Sequence, residues 1–183
     1  MSKVLTRRTF LKVSATGGAL VISGYIPGLR GGATAEAAGL FEPNIWVKIA
    51  ADDSVTVTLT QLEMGQGVMT SMPMLVAEEL DVDLAKMKFE WAPADPKYGN
   101  PNFGGLQLTA GSNSVRGMWQ PLREAGAVAR AMLVAAAAQT WSVPENTCST
   151  AKGEVIHQAS GRRLRYGALV DKAAALPVPK TVA

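Results

Sequence analysis

A strand that runs directly into a glycine-rich turn is encoded by Val55-Thr56-Val57-Thr58-Leu59-Thr60-Gln61-Leu62-Glu63-Met64-Gly65-Gln66-Gly67. Its first six residues alternate apolar and polar side chains, which is the period of a half-buried strand. Residues 68–80 then repeat apolar side chains at helical spacing. Gly65 and Gly67 allow the backbone to approach a bulky group, and the helix start offers N–H groups to an anion. A tight turn without a ligand would also fit Gly-x-Gly alone.

The turn Glu63-Met64-Gly65-Gln66-Gly67 resembles the EMGQG signature of the molybdenum hydroxylases, the xanthine dehydrogenase and aldehyde oxidase family. Within that family, the chain is most similar to the molybdenum-binding large (beta) subunits of the isoquinoline 1-oxidoreductase type and their periplasmic aldehyde-oxidising relatives. Further matching segments are Pro73–Leu80, Gly111–Arg116, Leu122–Arg130, Tyr166–Leu169 and Leu176–Pro179. Because such subunits are several times longer than 183 residues, the resemblance is to an amino-terminal fragment.

The resemblance implies a molybdopterin cofactor, in its cytosine dinucleotide form, that carries molybdenum. It implies hydroxylation of N-heterocycles or oxidation of aldehydes with oxygen from water. Electrons would pass to iron–sulfur clusters on a small [2Fe-2S] subunit and then to an acceptor such as a cytochrome. By the same resemblance, Gln66 would hydrogen-bond an oxygen ligand of the molybdenum, with Gly65 and Gly67 giving clearance. The family's glutamate base lies in a later segment that this chain lacks, so no catalytic residue is assigned here.

A second candidate segment, Gly111-Ser112-Asn113-Ser114, lies just before a long helical stretch. Its hydroxyl and N–H groups could receive the pterin or its phosphate, which makes Gly111, Ser112 and Ser114 candidate cofactor-binding residues. Capping of the helix by Ser112, Asn113 or Ser114 would explain the same residues without a ligand. Glu63, at a strand end, is expected to be a local hydrogen-bond anchor rather than a general base.

Residues 1–35 are predicted to be a twin-arginine export signal. Thr6–Lys12 contains paired arginines followed by Phe-Leu, and Val13–Ile26 is a modestly apolar run too short to span a bilayer comfortably. Ala33–Ala35 supplies small residues for cleavage. An ordinary secretory signal or an uncleaved anchor would be the alternatives. The twin-arginine translocase exports folded proteins, so the chain is expected to be periplasmic with its cofactor inserted beforehand.

Charge and metal-ligating residues exclude several classes of function. The chain has 18 basic and 15 acidic residues, and residues 1–35 hold five of the basic ones and no acidic one. The remainder therefore has 13 basic and 15 acidic residues, a net charge of −2, which gives no argument for nucleic-acid binding. With one cysteine and one histidine, this chain alone builds neither an iron–sulfur cluster nor a zinc site.

The predicted organisation is an export signal (1–35), a linker (36–43) and part of a molybdopterin-binding domain (44–183). The expected strands are 44–50, 55–60, 87–91, 150–157 and 163–166. The expected helices are 68–80, a long one whose main part starts at Pro121, and 167–176. Pro73 either marks the true first turn of its helix, near Ser71, or bends that helix. This order predicts an α+β fold, a mixed sheet with helices packed mainly on one side.

The expected function is thus that of a fragment of a molybdenum hydroxylase, inactive when isolated. The alternative is a truncated inactive remnant or a non-enzymatic exported module.

Overall fold

Four strands form a mixed sheet in the computed structural model, which describes residues 40–41, 44–179 and 181–182. They are β1 (Leu40–Phe41), β2 (Val47–Ala50), β3 (Val55–Leu59) and β4 (Met87–Trp91), in that order across the sheet. The pairs β1–β2 and β2–β3 are antiparallel, and β4 lies parallel to β3. The predicted mixed sheet is therefore confirmed, and β1 lies within the segment predicted as a linker. The predicted signal, residues 1–35, lies outside the described residues.

Two helices cover the apolar face of this sheet. They are α1 (Val68–Leu80) and α2 (Ser114–Trp141). The alternation in β2 and β3 puts their apolar side chains on one face, where they join the buried face of both helices in one core. The helices approach closely at Gly126, where a Cβ would lie 2.8 Å from the Glu79 Cβ. This packing confirms the α+β class.

Both helices contain a proline in their interior. α1 covers Val68–Leu80, as the helical spacing predicts, so the alternative that Pro73 marks a first turn near Ser71 is wrong. α2 begins at Ser114, seven residues before Pro121, where the main part of this helix was expected to start. Proline removes one intrahelical hydrogen bond and crowds the preceding turn. Met118 and Leu122 beside Pro121 are fully buried, so tertiary packing outweighs that cost.

A second sheet has three antiparallel strands where the sequence analysis predicted two. They are β5 (Cys148–Ala151), β6 (Glu154–His157) and β7 (Arg163–Arg165). Lys152 and Gly153 both have positive φ, 53° and 82°, and form the tight turn that divides the predicted strand 150–157. The predicted final helix is also shorter, since α3 covers only Val170–Ala174.

The second sheet is fastened to the end of α1 and to the β2–β3 hairpin. The Tyr166 hydroxyl donates to the Leu80 carbonyl oxygen at 2.6 Å, and the Gly167 N–H donates to Asp53 Oδ1 at 2.8 Å. Gly167 fits only without a side chain, because a Cβ would lie 2.3 Å from the Ala51 carbonyl oxygen. None of the helices among the described residues has the length and apolar character needed to cross a membrane.

Candidate functional site

The two candidate segments meet at one edge of the main sheet. Because β3 and β4 are parallel and pair Leu59 with Trp91, the chain leaves both strands at the same edge. The glycine-rich turn follows β3, and a loop over residues 92–113 follows β4 and leads into α2. The Leu62 N–H donates to Thr109 Oγ1 at 2.8 Å, which joins the residue before Glu63 to the loop two residues before Gly111. The carboxyl edge of parallel strands is where open α/β sheets bind ligands.

Glu63 organises the glycine-rich turn. Its Oε1 accepts hydrogen bonds from the N–H groups of Gly65 (2.7 Å) and Gly67 (2.9 Å), and its Oε2 accepts one from Met69 (3.1 Å). These bonds, the one from Gly67 foremost, hold the pKa of Glu63 below its ordinary value. The predicted role of Glu63 as a local anchor is therefore confirmed. The Glu63 carboxylate therefore already binds N–H groups at the start of α1, where the sequence predicted that an external anion could bind.

Gln66 is exposed, and its side chain folds back onto the same turn. Its Oε1 accepts from the Met64 N–H at 2.5 Å, and its Nε2 donates to the Leu62 carbonyl oxygen at 2.8 Å. A primary amide has two N–H donors, so one is left for a ligand. The local bonds fix the direction of that donor, and its target stays a prediction.

The two glycines beside Gln66 give the turn its shape and its free space. Gly65 and Gly67 have φ of 93° and 83°, a left-handed conformation that other residues rarely adopt. A Cβ on either would meet no atom within 4 Å. The described residues therefore leave open space next to both glycines, which fits the clearance expected for a cofactor.

The start of α2 is strained and lacks a side-chain cap. Gly111 and Ser112 both have positive φ, 62° and 52°, and this conformation costs a residue other than glycine about 1–2 kcal/mol. Asn113 occupies the N-cap position without a side-chain capping bond, since its Oδ1 instead accepts from Asn102 Nδ2 at 2.9 Å. The capping explanation is thus not observed at this N-cap. The first-turn N–H groups of a 28-residue helix stay available to an anion.

Asn100 holds the loop against α2, a role that the sequence analysis missed. It is fully buried, its Nδ2 donates to the Asn113 carbonyl oxygen at 3.2 Å, and its Oδ1 accepts from the Asn102 N–H at 2.9 Å. A Cβ at Gly117 would lie 2.2 Å from the same Oδ1, so glycine is required there. The Asn-Pro-Asn sequence at 100–102 is the local signal that could have indicated this turn.

Gln61 was also missed, and it is the least satisfied group at this edge. It continues the core-facing row of Val57 and Leu59, and it is fully buried. Neither its Nε2 nor its Oε1 has a hydrogen-bond partner among the described residues, and the same holds for the buried Thr60 Oγ1. Leaving a buried polar group unpaired costs about 1–3 kcal/mol. Stability alone would favour an apolar residue at position 61.

The remaining features of the edge are apolar. Leu62, Met64 and Leu106 are exposed large apolar side chains on the turn and on the neighbouring loop.

Within the described residues, no group of three or more His, Cys, Asp or Glu side chains could hold a metal ion. A small cavity of about 40 Å³ at the other end of β3 includes Asp53 and Tyr166 in its lining and is too small for a large cofactor.

Comparison with known proteins gives a consistent result. Residues 8–182 match the family described as the molybdopterin cofactor-binding domain. The chain is 41% identical over 181 residues to the isoquinoline 1-oxidoreductase subunit beta of Brevundimonas diminuta, covering 97% of this chain and 23% of that protein. It is 34% identical over 134 residues to a membrane-bound aldehyde dehydrogenase [pyrroloquinoline-quinone] of Gluconacetobacter polyoxogenes, covering 73% of this chain and 16% of that protein. The chain thus spans less than a quarter of these relatives.

Two solved structures share the fold. Quinoline 2-oxidoreductase from Pseudomonas putida 86 superimposes with a TM-score of 0.55 and 19% identity, over 72% of this chain and 16% of that one. Reconstituted CO dehydrogenase from Oligotropha carboxidovorans gives a TM-score of 0.50 and 20% identity, over 67% and 15% of the two chains. At these identities the likeness concerns the fold alone.

Proposed function

Because the chain belongs to the molybdopterin cofactor-binding domain family, we propose that it forms one wall of the molybdenum cofactor site in a larger oxidoreductase. The observation that carries this proposal is that the two candidate segments follow parallel strands at one end of the sheet, where the Leu62–Thr109 hydrogen bond joins the residues that flank them. The names of two relatives, an isoquinoline 1-oxidoreductase subunit and an aldehyde dehydrogenase, support an N-heterocycle or an aldehyde as the substrate. The proposed reaction is hydroxylation of the heterocycle or oxidation of the aldehyde, with oxygen taken from water. The chain supplies part of the binding site, and on its own it has no turnover.

Each candidate residue has a role that fits its geometry. Gln66 donates its remaining amide N–H to the cofactor, from a direction fixed by its two bonds within the turn. Gly65 and Gly67 leave the space that the cofactor needs. Ser112 and Ser114 present hydroxyl groups beside the uncapped start of α2, where the helix dipole favours a phosphate. The bound cofactor supplies the redox chemistry, while these residues hold and orient it.

The cofactor and the partners of the complete enzyme extend the proposal. The cofactor is molybdopterin in its cytosine dinucleotide form. Electrons leave through a small [2Fe-2S] subunit to a cytochrome. A separate subunit for the cluster fits this chain, because its one cysteine and one histidine are too few to bind an iron–sulfur cluster. The pattern of residues 1–35 supports export to the periplasm by the twin-arginine translocase, which is part of the proposal. The alternative, an inactive remnant or a non-enzymatic exported module, predicts a purified protein without molybdenum.

The proposal is tested with Gln66→Ala in the complete enzyme. Loss of an outer hydrogen-bond partner of a metal site lowers metal affinity or activity by about 10- to 100-fold. We expect turnover to fall by about 10-fold or more, or molybdenum and pterin to be lost faster on dialysis than from the wild type. The matched control is Gln120→Ala, since Gln120 is an exposed glutamine of α2 that bonds to Glu124 Oε1 at 2.6 Å. Wild-type metal content and turnover in Gln66→Ala would contradict the assigned role.

A second experiment tests the start of α2 and the identity of the cofactor. The double variant Ser112→Ala, Ser114→Ala is expected to lose pterin on dialysis faster than the wild type. Retention equal to wild type would leave the serines with a structural role only. Extraction of the wild-type enzyme identifies the cofactor directly. A quinone in place of molybdenum and pterin, as in the name of the Gluconacetobacter relative, would overturn the proposal.

A further inference from the structure

The outer strand of the main sheet carries two aromatic side chains that the described residues cover only in part. β4 is the last strand in the order β1–β2–β3–β4 of the described residues. Phe89 and Trp91 pair in register with Val57 and Leu59, so they lie on the core face of the sheet. Val57 and Leu59 are 0% and 1% exposed, whereas Phe89 and Trp91 are 42% and 43% exposed. The core face therefore continues past the part that α1 and α2 cover.

The backbone of β4 is also open on its outer side. The Ala92 N–H donates to the Leu59 carbonyl oxygen at 2.7 Å, and the Thr58 N–H points the other way, to Trp46. Hydrogen-bonding direction alternates along a strand, so residues 88, 90 and 92 face β3. The N–H and C=O groups of Phe89 and Trp91 consequently point away from β3, where no described strand receives them.

The opposite face of β4 is polar and already satisfied. Glu90 Oε1 lies 2.7 Å from Lys48 Nζ and accepts a hydrogen bond from Thr58 Oγ1 at 3.1 Å. An open strand edge beside exposed aromatic side chains is a site for pairing with another strand. Because one face of β4 is aromatic and the other is polar, we expect the incoming strand to be apolar on the core face and polar on the opposite face.

We propose that a fifth strand, from another part of a longer polypeptide that includes this chain, pairs with β4 and packs against Phe89 and Trp91. The inference rests on the proposed role of the chain as part of a larger enzyme. A five-residue strand buries far less than the roughly 1,200 Å² typical of a stable interface between separate proteins. A tethered strand needs less area, because the tether gives it a high effective concentration. The relatives are at least four times longer than the matched part.

The proposed fifth strand would lie close to the candidate cofactor-binding segments. β4 ends at Trp91, and the loop that carries Thr109 and leads to Ser112 begins immediately after it. A strand beside β4 therefore ends or begins next to the cofactor-binding segments. Residues from elsewhere in the polypeptide would reach the site along this strand.

Hydrogen exchange tests the inference in the polypeptide encoded by the complete gene. We expect the Phe89 and Trp91 amides there to be protected to within about 10-fold of the Val57 amide, which lies in the covered part of the sheet. In the 183-residue chain, the same two amides should exchange at least about 100-fold faster than that of Val57. Unprotected Phe89 and Trp91 amides in the longer polypeptide, or a gene that ends at codon 183, would overturn the inference.

Variants and sedimentation separate the tethered strand from other occupants. Phe89→Lys with Trp91→Lys should abolish the added protection, and Trp119→Lys is the control because Trp119 is an exposed tryptophan of α2. Protection that arises in the 183-residue chain together with a dimer in sedimentation would show a second copy instead. Molybdenum is measured in the same samples. A metal-free polypeptide with protected β4 amides would refute the proposed function and leave this inference standing.

Discussion

The two ends of β3 are built in opposite ways. At the end that carries Asp53, the second sheet is fastened by bonds from Gly167 to Asp53 and from Tyr166 to the Leu80 carbonyl. At the other end, the chain passes through two left-handed glycines and an unpartnered, buried Gln61. The strand that separates these ends has five residues, roughly 16 Å.

The difference indicates a division of labour along one short strand. The closed end makes long-range hydrogen bonds between segments far apart in sequence, which favours stability. Residues other than glycine with positive φ occur near both ends, Asp53 at the closed end and Ser112 at the open end, so backbone strain does not separate them. The open end alone keeps buried polar groups without partners among the described residues, which cost stability and are typical of binding sites. Substitutions at the closed end should therefore destabilise the protein, and some substitutions at the open end should stabilise it.

The largest expected effect is at the closed end, in Gly167→Ala. The new Cβ would lie 2.3 Å from the Ala51 carbonyl oxygen and 2.8 Å from Asp53 Oδ1, so backbone must move. We expect the free energy of unfolding to fall by about 2–3 kcal/mol, measured by urea denaturation. Ala168→Ser, at the exposed neighbouring position, should change it by less than about 0.5 kcal/mol. A neutral Gly167→Ala would remove the contrast between the two ends.

Tyr166→Phe tests the closed end through one hydrogen bond. Removing the hydroxyl deprives the Leu80 carbonyl of its donor at 2.6 Å and should cost about 1–2 kcal/mol. Burial, and then the charge of Asp81, raise the pKa of Tyr166. Above the unfolded-state tyrosine pKa of about 10, the unfolded chain loses a proton that the folded chain keeps, so stability falls as pH rises. The part of the stability loss above about pH 10 that comes from Tyr166 should be missing in Tyr166→Phe. If the free energy of unfolding of the variant depends on pH as in the wild type, the assignment is contradicted.

Gln61→Met tests the open end in the opposite direction. Methionine has a similar shape and removes the buried amide whose two polar atoms lack partners. Thermal and urea unfolding should show a gain of about 1 kcal/mol. A loss of similar size would mean that a buried water satisfies the amide. Gln61 would then not destabilise the open end, and this difference between the two ends would disappear.

The smallest expected effect is in Ser112→Gly. Glycine adopts the observed φ of 52° without strain, so stability should rise by about 0.5 kcal/mol, after allowance for the greater freedom of glycine when unfolded. Pterin retention in the complete enzyme should fall, because the hydroxyl is lost. Higher stability together with weaker retention would sharpen the contrast between the two ends. Lower stability would show that Ser112 is a structural residue.

Several features could be predicted from the sequence because they depend on residues close together in the chain. The alternation of residues 55–60 predicted the strand β3, which covers Val55–Leu59. Helical spacing over residues 68–80 predicted α1 with the bounds that are observed. Glu63 could be assigned as an anchor because its three backbone donors lie within six residues. The motif indicated the family for the same reason, since its residues are contiguous.

Other features were decided only by packing between distant segments. No local pattern indicates that Leu62 and Thr109, 47 residues apart, are hydrogen-bonded, or that Gln61 is buried without a partner among the described residues. The early start of α2 also depends on tertiary burial, which outweighs the local preference of Pro121. Local preferences therefore determined which elements and which motif this chain contains. The tertiary structure determined that the two motif segments share one edge, because only the parallel pairing of β3 and β4 brings their ends together.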